Sequence, residues 1–255
     1  MPTEKSTAVV LRLVPFSDTS LIVTLYTREM GKIGALAKGA RRPKSSFESA
    51  LDLLAVCRVV FIHKSSEALD LLTEAKLERR FRSAAHDLSR LYAGFYLAEI
   101  LAGLTEYADP HPALYDATER TLKALDEGGD VLRWLTWYQL RLLDETGQLP
   151  ALDRCARCGN ARIEPSEIRL GLVDGGLLCG TCRAGRPHVV RLQSASWQAL
   201  RALARSEHPA GGIDLPGDVP VVVGRYMTHA LGRPPRTARF LEAVAGRRRP
   251  GQSRG

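Results

Sequence analysis

Apolar residues in the first 80 positions fall into short β-branched-rich runs, and turn-forming residues separate the runs. Ala8–Val14 is the first and stops at Pro15; Leu21–Thr27 is the second, after the turn Ser17-Asp18-Thr19-Ser20. Gly31-Lys32 introduces a third run, Ile33–Ala37, and Gly39 and Pro43 bracket a polar stretch before Val56–Ile62 and Leu69–Leu77. Such runs, punctuated by Gly, Pro, Ser and Asp, predict five strands. Five strands in so short a length predict a small closed barrel of the OB type, since a sandwich would need about seven.

From Ser83 onward the period lengthens to that of a helix. Leu88, Leu91, Tyr92, Phe95, Ala98 and Leu101 make one stripe, and Asp109-Pro110-His111-Pro112 interrupts the chain before a second helix over Ala113–Leu125. Asp130 is placed to cap a third helix carrying Val131, Leu135, Leu140 and Leu143, with Gly147 and Pro150 as stop signals. Trp197–Arg205, Val221–Leu231 and Thr237–Ala245 resume the helical pattern after a segment rich in cysteine. The pattern predicts an α+β chain: an N-terminal five-stranded OB-fold barrel over 1–80, an all-α C-terminal domain over 81–245 into which 151–190 are inserted as a small cysteine-bearing excursion, and a disordered basic tail over 246–255. No internal repeat of solenoid period is present.

Composition narrows the setting. The 255 residues are 45% hydrophobic, a globular composition that excludes a solvated disordered chain. No apolar run approaches the ~18 residues that a membrane span requires, and Met1 opens no basic-then-apolar leader, so the expected place is the cytoplasm, against the nucleoid. Five cysteines are too sparse for a disulfide scaffold. The net charge of +8 is uneven: residues 1–80 hold 13 Lys/Arg against 9 Asp/Glu, 81–150 hold 6 against 11, and 191–255 hold 11 against 4. Basic flanks around an acidic middle point to a polyanionic partner for the flanks and a different role for the middle. Four of the rear cations, Arg247, Arg248, Arg249 and Arg254, belong to a Gly/Pro/Ser/Gln tail that reads equally as a solvating segment.

Four cysteines carry the sharpest chemical signal. Cys155-Ala-Arg-Cys158 and Cys179-Gly-Thr-Cys182 are two C-x-x-C knuckles, each able to turn two thiolates toward one ion, and together they complete a tetrahedral shell for one Zn²⁺. Four protein ligands leave no position for water or substrate, so the ion reads as structural; a redox dithiol is the alternative. Metal binding would order an excursion too small to build its own core. Cys57, in a β-branched run, reads as a buried apolar residue.

The second signal is Lys38-Gly-Ala-Arg41-Arg42-Pro-Lys44, four cations in seven residues leading out of the third strand, with Lys32 and Arg28 close by in sequence. Such a loop on a barrel can lie along a phosphate backbone and give salt-sensitive, sequence-tolerant affinity. Phe16, Tyr26, Phe47 and Phe61 are candidate stacking platforms, each with a core role as the bland alternative. Trp134, Trp137 and Tyr138 form either core or part of a groove for a partner peptide. No phosphate-binding glycine loop is present, and His63, His86, His111, His188, His208 and His229 are scattered, so the expectation is a binding protein and not an enzyme. Asp126-Glu127 and Asp144-Glu145 sit at helix ends, where a solvated face is expected.

Ala8-Val-Val-Leu11, Ile22–Arg28, Gly31-Lys-Ile33 and Ala37-Lys-Gly-Ala-Arg-Arg-Pro-Lys-Ser45, followed by Leu91-Tyr92, Tyr96–Leu101, Pro110–Tyr115 and Leu142–Pro150 ahead of the cysteines, resemble the bacterial recombination and repair RecO family over about residues 5–245. The resemblance implies an N-terminal OB barrel, a helical C-terminal domain and a zinc ribbon within it. It further implies binding of single- and double-stranded DNA, ATP-independent annealing of complementary strands, contact with the acidic C-terminal tail of SSB, and association with RecR, often with RecF, to load RecA. From the residues alone, a zinc-ribbon RNA-binding or transcription adaptor on an OB barrel remains the alternative, as do a metalloenzyme and a protein-binding scaffold.

Overall fold

The computed structural model describes residues 3–47, 50–64, 68–83, 87–164, 168–209 and 214–241. Strands β1 (Thr3–Pro15), β2 (Leu21–Thr27), β3 (Gly31–Ala37), β4 (Val56–Ile62) and β5 (Asp70–Arg79) close into a barrel in the order β1-β2-β3-β5-β4. β1–β2, β2–β3, β4–β5 and β1–β4 are antiparallel, while β3 and β5 run parallel over a short register from Ala35↔Asp70 to Ala37↔Leu72. This is the expected OB arrangement. Successive residues point to opposite faces of a strand, and Val23, Leu25, Ile33, Ala35, Ala37, Val59 and Phe61 fill the interior. Each fully buried Leu or Phe of this kind stabilises the fold by about 1.5–3 kcal/mol. The same alternation puts Ile22, Thr24, Lys32, Gly34 and Leu36 on the outer surface of β2 and β3.

Turns join β3 to β4, and their Phe47 and Ala50 belong to the barrel core. Cys57 is buried as expected; its thiol donates to Ala50 O at 2.9 Å, and burial pushes its pKa up to about 12. Of the four candidate stacking aromatics, Tyr26, Phe47 and Phe61 are core residues and Phe16 is exposed.

Two helices complete the first compact unit, which takes the chain up to Gly129 together with the segment from Arg236. α1 (Leu88–Leu104) is capped by Asp87, whose carboxylate accepts from Ser89 N at 2.8 Å, and α2 (Pro112–Asp126) begins on proline. The buried face of α1 includes Ala93, Tyr96, Leu97, Ala98, Ile100 and Leu101. Of the expected stripe, Ala98 and Leu101 lie on it, Leu91, Tyr92 and Phe95 are half-buried and Leu88 is exposed, so the stripe is offset in its first half. α1 is apolar on nearly every side, so periodicity had no polar face to define its orientation. Asp126, expected on a solvated helix end, instead accepts from Arg82 N, Ser83 N and Ser83 Oγ and pairs with Arg79. The barrel strands end at Arg79, while compactness groups α1 and α2 with the barrel.

The second unit is Asp130–Pro235. Asp130 caps α3 (Val131–Glu145) as expected, accepting from Arg133 N at 2.7 Å. α4 (Ser194–Arg205) and α5 (Asp218–Leu231) pack on α3, and Gly232 ends α5 in the left-handed region. Trp137 and Tyr138 are core, with Trp137 Nε1 donating to Ser206 O at 3.0 Å and Trp134 edge-on to Trp137. Between α3 and α4 lies a three-stranded sheet of β6 (Arg169–Gly171), β7 (Gly176–Leu177) and β8 (Val189–Arg191). Tyr226 of α5 donates to Gly171 O at 3.0 Å and ties that sheet to the helices. The last expected helix is present from Ala238 to Leu241; its remainder, the basic tail 246–255 and His86 lie outside the described residues. Among the described residues no helix is long and apolar enough to cross a membrane.

Gly31 opens β3 at φ +67°, and a β-carbon there would collide with the main-chain carbonyl of Asp109. Gly31→Ala should destabilise the chain by about 2–4 kcal/mol, from left-handed strain plus a displaced connection, read as a lower midpoint in urea unfolding.

Candidate nucleic-acid interface and metal centre

β3 delivers the chain at Ala37 into the basic loop. Gly39, at φ +72°, makes the first turn, Arg42 N donates to Gly39 O at 3.0 Å, and Ser45 N donates to Arg42 O at 3.1 Å. The loop is fastened to the β1–β2 turn. Arg41 N donates to Thr19 O at 2.9 Å, Arg41 Nη1 to Ser17 O at 3.3 Å, and Gly39 N to Ser20 Oγ at 3.4 Å. Lys38, Arg41, Arg42 and Lys44 are all exposed, and among the described residues none takes a carboxylate partner. Phe16, 61% exposed, stands in the turn to which Arg41 is bonded, and Asp18 in the same turn offsets one positive charge. Four cations and an exposed ring on two mutually bonded loops suit a strand that offers both phosphates and bases.

Lys32 and Arg28 do not join this surface, which corrects the expectation for both. Lys32 is 7% exposed; its ammonium donates to Ala102 O at 2.7 Å and to Thr105 O, at the carboxyl end of α1. Burial lowers its pKa from the ordinary lysine value, with Glu106 opposing. A cation there satisfies orphan carbonyls and the negative end of the helix dipole. Arg28 holds Asp116 of α2 through two bonds of 2.9 and 3.0 Å, and this pairing raises the guanidinium pKa. Sequence proximity placed both residues beside the loop, but partners far along the chain claim their charges. The sequence reading also passed over Tyr107, which pairs through its backbone with Lys32 and stays exposed.

The cysteines converge as their spacing predicts. The sulfurs of Cys155, Cys158, Cys179 and Cys182 all lie within 4.8 Å of one another, with Cys158 Sγ and Cys179 Sγ 3.7 Å apart. A tetrahedral ion with Zn–S bonds of about 2.3 Å would space its sulfurs by about 3.8 Å, so the cluster can hold a metal ion. Gly159, at φ +72°, turns the first knuckle, and Cys155 N donates to Asn160 O at 2.8 Å. Burial opposes ionisation of Cys155, yet N–H groups of Cys158, Cys179 and Arg157 bring its thiol down to about 6. The sulfurs of Cys179 and Cys158 push Cys182 up to about 12. Four thiols so close cannot all lose their protons without a cation among them. Ile168, Leu170, Leu177 and Leu178 give the adjoining sheet a small apolar core.

The family model described as recombination protein O N terminal matches residues 1–81, and that described as recombination protein O C terminal matches residues 85–236. A DNA repair protein RecO of Rhodopirellula baltica is 46% identical over 218 residues, covering 84% of this chain and 80% of the relative. One of Salinibacter ruber is 37% identical over 204 residues, 78% of this chain and 74% of the relative. One of Anaeromyxobacter dehalogenans is 32% identical over 250 residues, 94% of this chain and 96% of the relative.

Lys32→Met should destabilise the chain by about 2–4 kcal/mol, because it leaves two carbonyls at the end of α1 without their charged donor. Its salt dependence of DNA binding should match that of the unaltered chain; a flatter dependence would return Lys32 to the phosphate contacts. Metal analysis after dialysis should find one divalent ion per chain and almost none in Cys158→Ser. Equal retention by the two would exclude a four-sulfur shell.

Proposed function

Because the chain belongs to the recombination protein O family of DNA repair proteins, we propose that it is a DNA-binding recombination mediator of the RecF pathway and performs no bond chemistry of its own. The observation that carries this reading is the pair of bonded loops on the barrel, with exposed Lys38, Arg41, Arg42 and Lys44 beside exposed Phe16. Cations on such a loop neutralise the phosphates of two strands and lower their mutual repulsion, while leaving base edges free to pair. Annealing by this route consumes no nucleotide triphosphate. The knuckles hold one structural Zn²⁺, for which four thiolates are the fitting donor set.

The partners follow from the family: single- and double-stranded DNA, RecR, the acidic C-terminal tail of SSB, and RecF, with RecA loaded onto SSB-coated single strands. The place of action is the cytoplasm, at the nucleoid. An acidic tail and its terminal carboxylate would seek an arginine beside an apolar pocket of the helical domain.

Complementary SSB-coated oligonucleotides should anneal when the full chain is added without nucleotide triphosphate. In the variant with Lys38, Arg41, Arg42 and Lys44 all changed to Ala, the slope of log K against log salt should flatten by about 0.7 per lost phosphate contact, about 3 in all, with a parallel loss of annealing. An unchanged slope in the folded variant removes the loop from the mechanism. A preference for structured RNA over single-stranded DNA overturns the reading in favour of an RNA adaptor.

A further inference from the structure

The outer face of β3 carries a cavity that the basic loop does not use. It measures about 540 Å³ and is lined by Gly34, His63, Lys64, Leu69, Asp70 and Tyr107, among others. Tyr107 comes from the connection between α1 and α2 and is held in place two ways. Its backbone makes a parallel bridge to Lys32, in which Ala108 N donates to Lys32 O at 3.0 Å, and its ring centroid lies 4.7 Å from the Lys32 ammonium. The residue is nevertheless 61% exposed. A fixed ring with an open surface gives up little conformational freedom when a flat ligand stacks on it.

Gly34 keeps the floor of the cavity low. A β-carbon there would sit 3.0 Å from Leu69 Cδ2 and 3.7 Å from Tyr107 Cε1, closing the space between the two side chains. The polar wall is equally ordered. Asp70, 5% exposed, accepts from Lys64 N at 2.9 Å and meets His63 Nδ1 at 3.1 Å. With Nδ1 engaged by that carboxylate, Nε2 is the ring nitrogen of His63 left for a ligand. A stacking ring, an apolar leucine, a ring nitrogen and the nearby Lys64 suit a planar heterocycle with polar edges. The charge complementarity is set by the strand: Lys38, the first residue beyond β3, follows Gly34 by four residues, about 13 Å at strand rise, so a polyanion on the basic loop has the cavity within reach.

We propose that this cavity receives one unstacked nucleobase of a single DNA strand, stacked on Tyr107, and so lets the barrel distinguish single strands from duplex. The inference rests on the DNA-binding reading above and adds a base-recognition element that comes from outside the barrel strands. A duplex keeps its bases paired and inward, so it would meet the loop cations but not the ring.

The test compares the full chain and its variants on three labelled probes of about 16 nucleotides, the upper site size for one OB barrel. The probes are oligo-dT, the same strand in duplex, and an abasic deoxyribose-phosphate chain. Tyr107→Ala should weaken oligo-dT binding by about 5- to 100-fold, leave the duplex and abasic affinities unchanged and preserve the salt slope, since no phosphate contact is removed. Tyr107→Trp should restore affinity, and its emission should be quenched by oligo-dT but not by the abasic chain. Thermal melting verifies that both variants are folded. Wild-type oligo-dT affinity in Tyr107→Ala, or equal weakening of all three probes, overturns this inference and leaves the basic loop standing. Failure of the unaltered chain to bind any probe in dilute buffer overturns the DNA-binding reading as well.

Discussion

A five-stranded barrel of this topology must close through a parallel seam, and here the seam between β3 and β5 is short, from Ala35↔Asp70 to Ala37↔Leu72. Parallel pairing leaves the earlier part of β3, Gly31 to Gly34, with an edge that β5 does not reach. Buried or half-buried main-chain groups on such an edge must find partners elsewhere. The connection between α1 and α2 supplies them: Ala108 N donates to Lys32 O, and Tyr107 bridges to Lys32 in parallel. The lysine completes the arrangement by turning its ammonium onto the end of α1. Barrel closure, helix docking and the placement of Tyr107 are thus solutions to one main-chain requirement.

The two ends of β3 consequently have different characters. Its beginning is covered and its cation is internal, while its end projects an exposed cationic loop braced against the neighbouring turn by Arg41 and Gly39. Bracing matters because a loop already ordered loses less entropy when it meets a strand of phosphates. On the proposed reading, the affinity of such a loop is electrostatic and broad, and selectivity comes from groups that see bases. Exposed rings are the natural candidates, and they lie along the surface that β3 helps to form.

Much of this was legible in the sequence because the governing signals are local. The C-x-x-C pairs state their own geometry, Asp130 sits where a helix needs a cap, and β2 and β4 coincide with their apolar runs. Misreadings arose where a distant partner decides. Arg28 is claimed by Asp116, 88 residues away, and Lys32 by carbonyls 70 and 73 residues away. No window of sequence contains both members of such pairs. The orientation of α1 was legible only in part for the opposite reason, since a helix apolar on nearly every side carries little marker of which side is buried. Tyr107 gave no signal because a single aromatic in a Pro-containing connection is inconspicuous until its main-chain pairing is known.

The chain leaves the first unit at Gly129 and re-enters it at Arg236. There Glu99 accepts from Arg236 N, Thr237 N and Thr237 Oγ1, across sequence separations of 137 and 138 residues, and Phe240 stacks on Tyr92 at 5.1 Å. On the ribosome, the barrel, α1 and α2 emerge first with that side of α1 bare. The nascent unit must wait for translation of everything between Asp130 and Pro235 before its final contacts can form, so the earliest-made half of the molecule is among the last to be finished.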